Sequence, residues 1–125
     1  MPLNLHDLSK AELLDLIDYA GVYRDRAALA QGWRGLLDHK KAQAVSRRAV
    51  AYAAWLPLSR VARADAIAAR HHREAHGYDE MWTRKLEISL VSTRAANAAW
   101  REVLAIDAEI ARFAAKLRLA GRIAA

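Results

Sequence analysis

No cysteine occurs among the 125 residues. That removes disulfides, thiolate metal ligands and a cysteine nucleophile together, and makes a reducing compartment the simplest setting. Only 5 glycines and 2 prolines are present, too little turn material for an all-β fold. No uncharged apolar run approaches the ~20 residues that span a bilayer. The start, Met1 to Asp7, lacks a basic stretch followed by an apolar one. A P-loop, a Rossmann glycine fingerprint and the Glu-x-x-His pair of di-iron bundles are all missing. Ser9, Ser46, Ser59, Ser89 and Ser92 sit in helical patterns with no evident base beside them. The expectation is a cytoplasmic protein that is not an enzyme, carries no cofactor and does not enter a membrane.

What the chain has instead is helix-forming material: 54% of it is hydrophobic, mostly Ala, Leu, Val and Ile. At this length one domain, residues 1–125, buries roughly two-thirds of its unfolded surface. The organising stretch is Asp79 to Leu119, which contains neither Gly nor Pro. Asp79 is an N-cap with Glu80 in the first turn, and Gly121 follows the last apolar residue. At 100° per residue, Trp82, Leu86, Leu90, Trp100 and Leu104 form one apolar stripe, and Val103, Ile106, Ile110, Phe113 and Leu117 form a second. A helix of ~40 residues, about 60 Å long at 1.5 Å per residue, outruns what shorter helices of one chain can cover. Coiled-coil-like self-association, or a helical protein partner, follows as an expectation. Ser89, Ser92, Thr93 and Asn97 interrupt the stripes at core positions, where a polar residue either fixes register or bonds its own helix backbone.

Four shorter helices precede it, giving an all-α bundle of about five. Ser9-Lys10-Ala11-Glu12 has capping-box spacing and opens a helix whose Leu13, Leu16, Ile17 and Ala20 face inward. Gly21 ends or kinks it. A second pattern, Val22 to Ala30, stops at Gln31-Gly32-Trp33-Arg34-Gly35, where two glycines bracket a turn. A helix-turn-helix with Tyr23, Arg24 and Arg26 on DNA is disfavoured by Ile17 at its small-residue position; an αα-hairpin over 1–38 is preferred. The Gly32–Gly35 spacing of a KH loop is set aside because that domain needs strands. The third helix starts at Asp38 or His39 and is stopped by Pro57, with Ala42, Val45, Ala49, Tyr52, Ala53 and Leu56 as its core face. The fourth, Leu58 to His76, has Val61, Ala64, Ile67, Ala68, His71 and Ala75 facing inward and is closed by Gly77. These two make a basic helical pair over 39–77, and the long helix occupies 79–120.

Charge is placed unevenly. Residues 39–78 hold 8 basic and 2 acidic side chains, which equals the +6 of the whole chain. Lys40, Lys41, Arg47 and Arg48 surround Ala44, Ala51 and Trp55; Arg60, Arg63, Arg70 and Arg73 continue along the next helix. Cations over small residues, with an aromatic at one end, suit a polyanion whose phosphates are neutralised and whose bases stack on Trp55. A solvated face with the same residues is the competing explanation. His72 and His76, at i, i+4 with Asp65 two turns back, could meet one metal ion. Asp65 lies about 10 Å from His72 along the axis, and the pattern is not HExxH, so no metal is expected.

The chain as a whole is similar in type to small Ala- and Arg-rich accessory proteins of tailed phages and other mobile elements. That likeness is architectural and carries no functional residues over. Two functions fit. One is sequence-independent binding of nucleic acid, DNA or RNA, by Lys40, Lys41, Arg47, Arg48, Trp55, Arg60, Arg63, Arg70 and Arg73. The other is a structural or adaptor role (an assembly component, or an inhibitor of another protein). There the interface is Trp82, Leu86, Leu90, Asn97, Trp100, Val103, Ile106, Ile110, Phe113 and Leu117.

Overall fold

The structure is a computed structural model that describes the backbone of residues 8–20 and 26–124 and the side chains of 8–16 and 31–120. It is all-helical, with no strand among the described residues. The helices are α1 (Lys10–Ala20), α2 (Arg26–His76) and α3 (Glu80–Ala124). The expected count of about five is therefore corrected to three, with the long C-terminal helix present.

The missing boundaries are those drawn from glycine and proline. Gly32 and Gly35 lie inside α2, as does Pro57. Each interior glycine costs about 1 kcal/mol relative to alanine. Burial of Trp33, Leu36 and Leu37 on the same turns outweighs it. Proline costs roughly 3 kcal/mol in a helix interior because it removes one amide and crowds the carbonyl four residues back. Pro57 and Ala53 are both exposed, so that carbonyl can bond water while Trp55 and Ser59 continue the half-buried side. At the other end α3 passes through Gly121 to Ala124. Gly21 and residues 22–25, with the helix-turn-helix reading that depends on them, fall outside the described residues.

The chain forms two compact units, one from Met1–Ser46 with Ala108–Ala125 and one from Arg47–Asp107. In the first, Leu16 of α1, Trp33, Leu36 and Leu37 of α2 and Ala120 of α3 make a buried cluster, with Leu8, Phe113 and Leu117 against it. The capping box closes as its spacing dictates: the Ser9 amide donates to Glu12 Oε1 at 3.3 Å and the Glu12 amide to Ser9 Oγ at 3.2 Å. Lys40 pairs with Asp15, and Lys116 donates to Glu12 at 2.9 Å, so α1 is tied to both long helices. Lys116 holds the Glu12 carboxyl below its ordinary value, against a smaller upward pull from burial and with help from Ser9.

The second unit is an antiparallel hairpin. Gly77 takes φ 78°, a left-handed conformation, and its amide bonds the Arg73 carbonyl at 2.8 Å, the αL way of ending a helix. Two residues later Asp79 caps α3, its Oδ1 accepting the Trp82 amide at 2.8 Å. Along the seam, Ala51 and Ala69 of α2 and Ser89, Ala96, Val103 and Ile106 of α3 are buried. Trp55 stacks on Trp100 with centroids 4.7 Å apart, and Arg48 meets Asp107 at 2.5 Å. The expected core face of the third helix is thereby corrected. Ala42, Val45, Ala49, Tyr52 and Ala53 are exposed, and Ala44, Ala51 and Trp55, assigned to the basic side, turn inward. Small residues let the backbones approach, and that selects the alanine row over its neighbour.

Replacing Leu37, 1% exposed, with Ala should destabilise the first unit by about 2–5 kcal/mol in denaturant unfolding. Gly77→Ala should cost about 1–2 kcal/mol in the same measurement; a Cβ there meets nothing within 4 Å, so only the left-handed φ resists it.

Candidate nucleic-acid interface

The structure divides the nine residues of the basic set among different surroundings. In the first unit, Lys40 is engaged by Asp15. Lys41 lines an open cleft of about 660 Å³ with Arg34, Asp38, Ala114, Leu117 and Arg118. Arg34, Asp38 and Lys41 follow one another at i, i+4, i+7 on α2, and Arg118 faces them from α3. Three cations thus share one carboxylate. Arg34 and Arg118 were absent from the expected set; the i, i+7 spacing of Arg34 and Lys41 was the available signal, hidden by the turn assigned to Gly32–Gly35.

In the second unit Arg48 is held by Asp107, which raises the guanidinium's already high pKa, and lies 5.8 Å from the Tyr52 ring. Arg47 also has a partner. Trp55 is half-buried between Tyr52 and Trp100 and is part of the chain's own packing. Arg70 is 3.9 Å from Glu74, and Arg73 lies 6.0 Å from the Tyr78 ring. Arg60 and Arg63 are exposed and make no ion pair among the described residues. The unit's clearest cationic strip is therefore Arg60, Arg63, Arg70 and Arg73 along α2. Asp65, the one acidic residue of the sequence between 60 and 73, is half-buried.

The second expected set is likewise divided. Val103 and Ile106 are buried in the hairpin unit, and Phe113 and Leu117 pack on the core of the first unit. Trp82, Leu86, Trp100 and Ile110 are half-buried; Leu90 and Asn97 are exposed. Of the polar interruptions, Ser89 lies in the seam, and Ser92 Oγ donates to the carbonyls of Ile88 and Ser89, both at 3.1 Å. Asn97 stands outside the seam.

The histidines do not gather a metal site. His72 Nε2 lies 2.7 and 2.9 Å from the two Asp79 oxygens, the His72 and His76 rings are 4.8 Å apart, and no group of three metal-ligating side chains exists among the described residues. The Asp79 carboxyl sits below its ordinary value, chiefly because it accepts the Trp82 amide and then because it faces His72. No described helix is long and apolar enough to cross a membrane.

No protein-family model, curated protein or solved structure matches the chain.

A carboxyl whose folded pKa is depressed adds stability above its ordinary pKa, and that stability is lost as pH falls through the depressed value. Unfolding of the native chain should therefore become easier below about pH 4, where carboxylates take up protons. Asp79→Asn keeps a capping oxygen but cannot titrate. Its stability, followed by circular dichroism, should fall less steeply than wild type between about pH 4 and pH 2.

Proposed function

We propose that this protein is a non-enzymatic binder of nucleic acid that grips phosphates without reading bases. The observation that carries the reading is the Arg60, Arg63, Arg70 and Arg73 strip. It is exposed on one helix, and three of its four guanidinium groups, those of Arg60, Arg63 and Arg73, make no ion pair among the described residues. Released counterions reward such cations on a polyanion, whereas on a bare surface their mutual repulsion is only a cost. Lys41, Arg34 and Arg118 offer a second cationic seat in the other unit. Trp55 is assigned no stacking role, because its ring lies against Trp100.

A structural or adaptor role through protein contacts of the long C-terminal helix is the second reading. It is favoured by Leu90 and Leu104, which stay 46% and 49% exposed on α3. The two readings differ in their response to salt.

Fluorescence anisotropy with labelled single- and double-stranded DNA, across about 50 to 300 mM salt, separates them. Engagement of four phosphates predicts log K falling against log salt with a slope of about −3 to −4. Arg60→Ala with Arg63→Ala should flatten that slope by about 1 to 2, equally for unrelated sequences. Absence of binding at about 50 mM salt would overturn the proposal.

A further inference from the structure

Arginines without an ion pair are not confined to α2. On α3, Arg94 and Arg101 are exposed, stand at i, i+7 and make no ion pair among the described residues. Their place beside α2 follows from the register of the hairpin, which Trp55 on Trp100 and Arg48 on Asp107 set. A step forward on α2 is an equal step back on α3, so Arg94 falls level with Val61, between Arg60 and Arg63, and Arg101 with Ala54. At about 100° per residue, Arg63 is turned from the buried row of α2 in the same sense as Arg48. Arg94 and Arg101 are turned from the buried row of α3 in the same sense as Asp107. In an antiparallel pair equal senses mean the same flank, and the contact of Arg48 with Asp107 identifies it. Arg60 stands toward the back of α2.

The carboxylates near this flank lie at its ends. Asp107 is engaged by Arg48, Glu80 by Arg84 at 3.0 Å, and Glu74 stands 3.9 Å from Arg70. Glu87 falls level with Ala68, on the Arg70 side, and about 10 Å along α3 from Arg94. Glu102 is turned to the opposite flank. The middle of the hairpin is left with Arg60 and Arg63 on one bank and Arg94 and Arg101 on the other, with exposed Leu90, Asn97 and Leu104 on α3 between them.

We infer that these four arginines are the two rails of one groove, and that the groove takes a nucleic-acid duplex with one rail on each line of phosphates. The inference rests on the phosphate-binding reading above and names the form of nucleic acid. A single strand offers one line of phosphates, so it leaves one of two rails at the same level unused. Packed helices stand about 8–10 Å apart, and the grooves of a duplex hold its two phosphate lines about 6–12 Å apart, a span that arginines on both helices reach. Single strands are held instead by bases stacked on aromatic rings. No Phe, Tyr or Trp occurs at 56–77 or 83–99, the stretches that carry the groove. At its end, the Tyr52 ring is occupied by Arg48 and Trp55. Asn97 adds a neutral donor between the rails, of the kind that meets phosphate and sugar oxygens.

The test is fluorescence anisotropy with a labelled DNA duplex and with either of its strands alone, across about 50 to 300 mM salt. The duplex should bind roughly tenfold tighter at equal salt. Arg94→Ala with Arg101→Ala should flatten the duplex slope of log K against log salt by about 2, and leave the single-strand slope nearly as it was. Arg94→Lys with Arg101→Lys keeps the charges and should keep the slope; circular dichroism checks the helix content of each variant. Single strands bound as tightly as the duplex would overturn the inference. So would both slopes flattening equally in the alanine variant, or the lysine variant losing as much as the alanine one. If R60A with R63A weakens binding while R94A with R101A changes nothing, the single strip on α2 stands and the two-rail groove falls. Absence of all binding at about 50 mM salt would remove both.

Discussion

The hairpin depends on a close approach of α2 and α3 along a seam of small residues. Ala51, Ala69, Ser89 and Ala96 occupy buried positions where larger side chains are usual. Small side chains bring the backbones together but remove little apolar area from water, and at about 25 cal/mol per Å² an alanine contributes far less than a leucine. The seam is therefore good at fixing geometry and weak at supplying stability. Trp55 on Trp100, with buried Val103 and Ile106 at the Asp107 end, adds larger apolar contact to this unit. A two-helix unit of that kind keeps its remaining apolar residues on the outside because there is no third layer to receive them.

That shortage explains why the hairpin has two dissimilar flanks. One carries Val50, Val61, Ile88 and Val91 among smaller residues, with Arg84 and Glu102 toward the ends of its α3 row; the other side of α2 carries Arg60, Arg63 and Arg70. Apolar area is best satisfied by another apolar face, and arginine by an anion, so the two surfaces differ in what they can hold. The unit holding Leu16, Trp33, Leu36 and Leu37 is built differently. Its large side chains from three helices make a conventional core, and α1 is fastened to it by Asp15 with Lys40 and Glu12 with Lys116.

Local chemistry was legible in the sequence where it is self-contained. The Ser9–Glu12 box and the Asp79 cap fall where their spacing put them, because each depends on a few neighbouring amides. Breakers were misleading where tertiary packing outweighed them. Pro57 and Gly32 cost a few kcal/mol between them, less than the turns around them recover. The inward face of α2 could not be read because alanine looks alike on either side of a helix: Ala42, Ala49 and Ala53 are exposed, while Ala44 and Ala51 are buried. Hydrophobic periodicity ranks faces by size of side chain, and here the face with smaller residues was chosen for its closeness. The basic set was legible in composition but not in availability. Nothing in the spacing distinguishes Arg48, which Asp107 engages from a distant turn, from Arg63, which makes no ion pair among the described residues.

The same misreading accounts for the surface that periodicity overlooked. Once Val61, Ala64 and Ala68 are assigned to the core of a fourth helix, their exposure cannot be noticed. Only the continuity of α2 through Pro57 joins Val50 and Ala54 to them in one unbroken row. Proline belongs comfortably at such a position. Its ring is apolar, its fixed φ suits the helix, and the carbonyl it frees is that of exposed Ala53. A charged residue at 57 would interrupt the row. The residue that looks like a helix terminator thus extends an exposed apolar row along α2, and the row's spacing, rather than any single side chain, is what makes it visible.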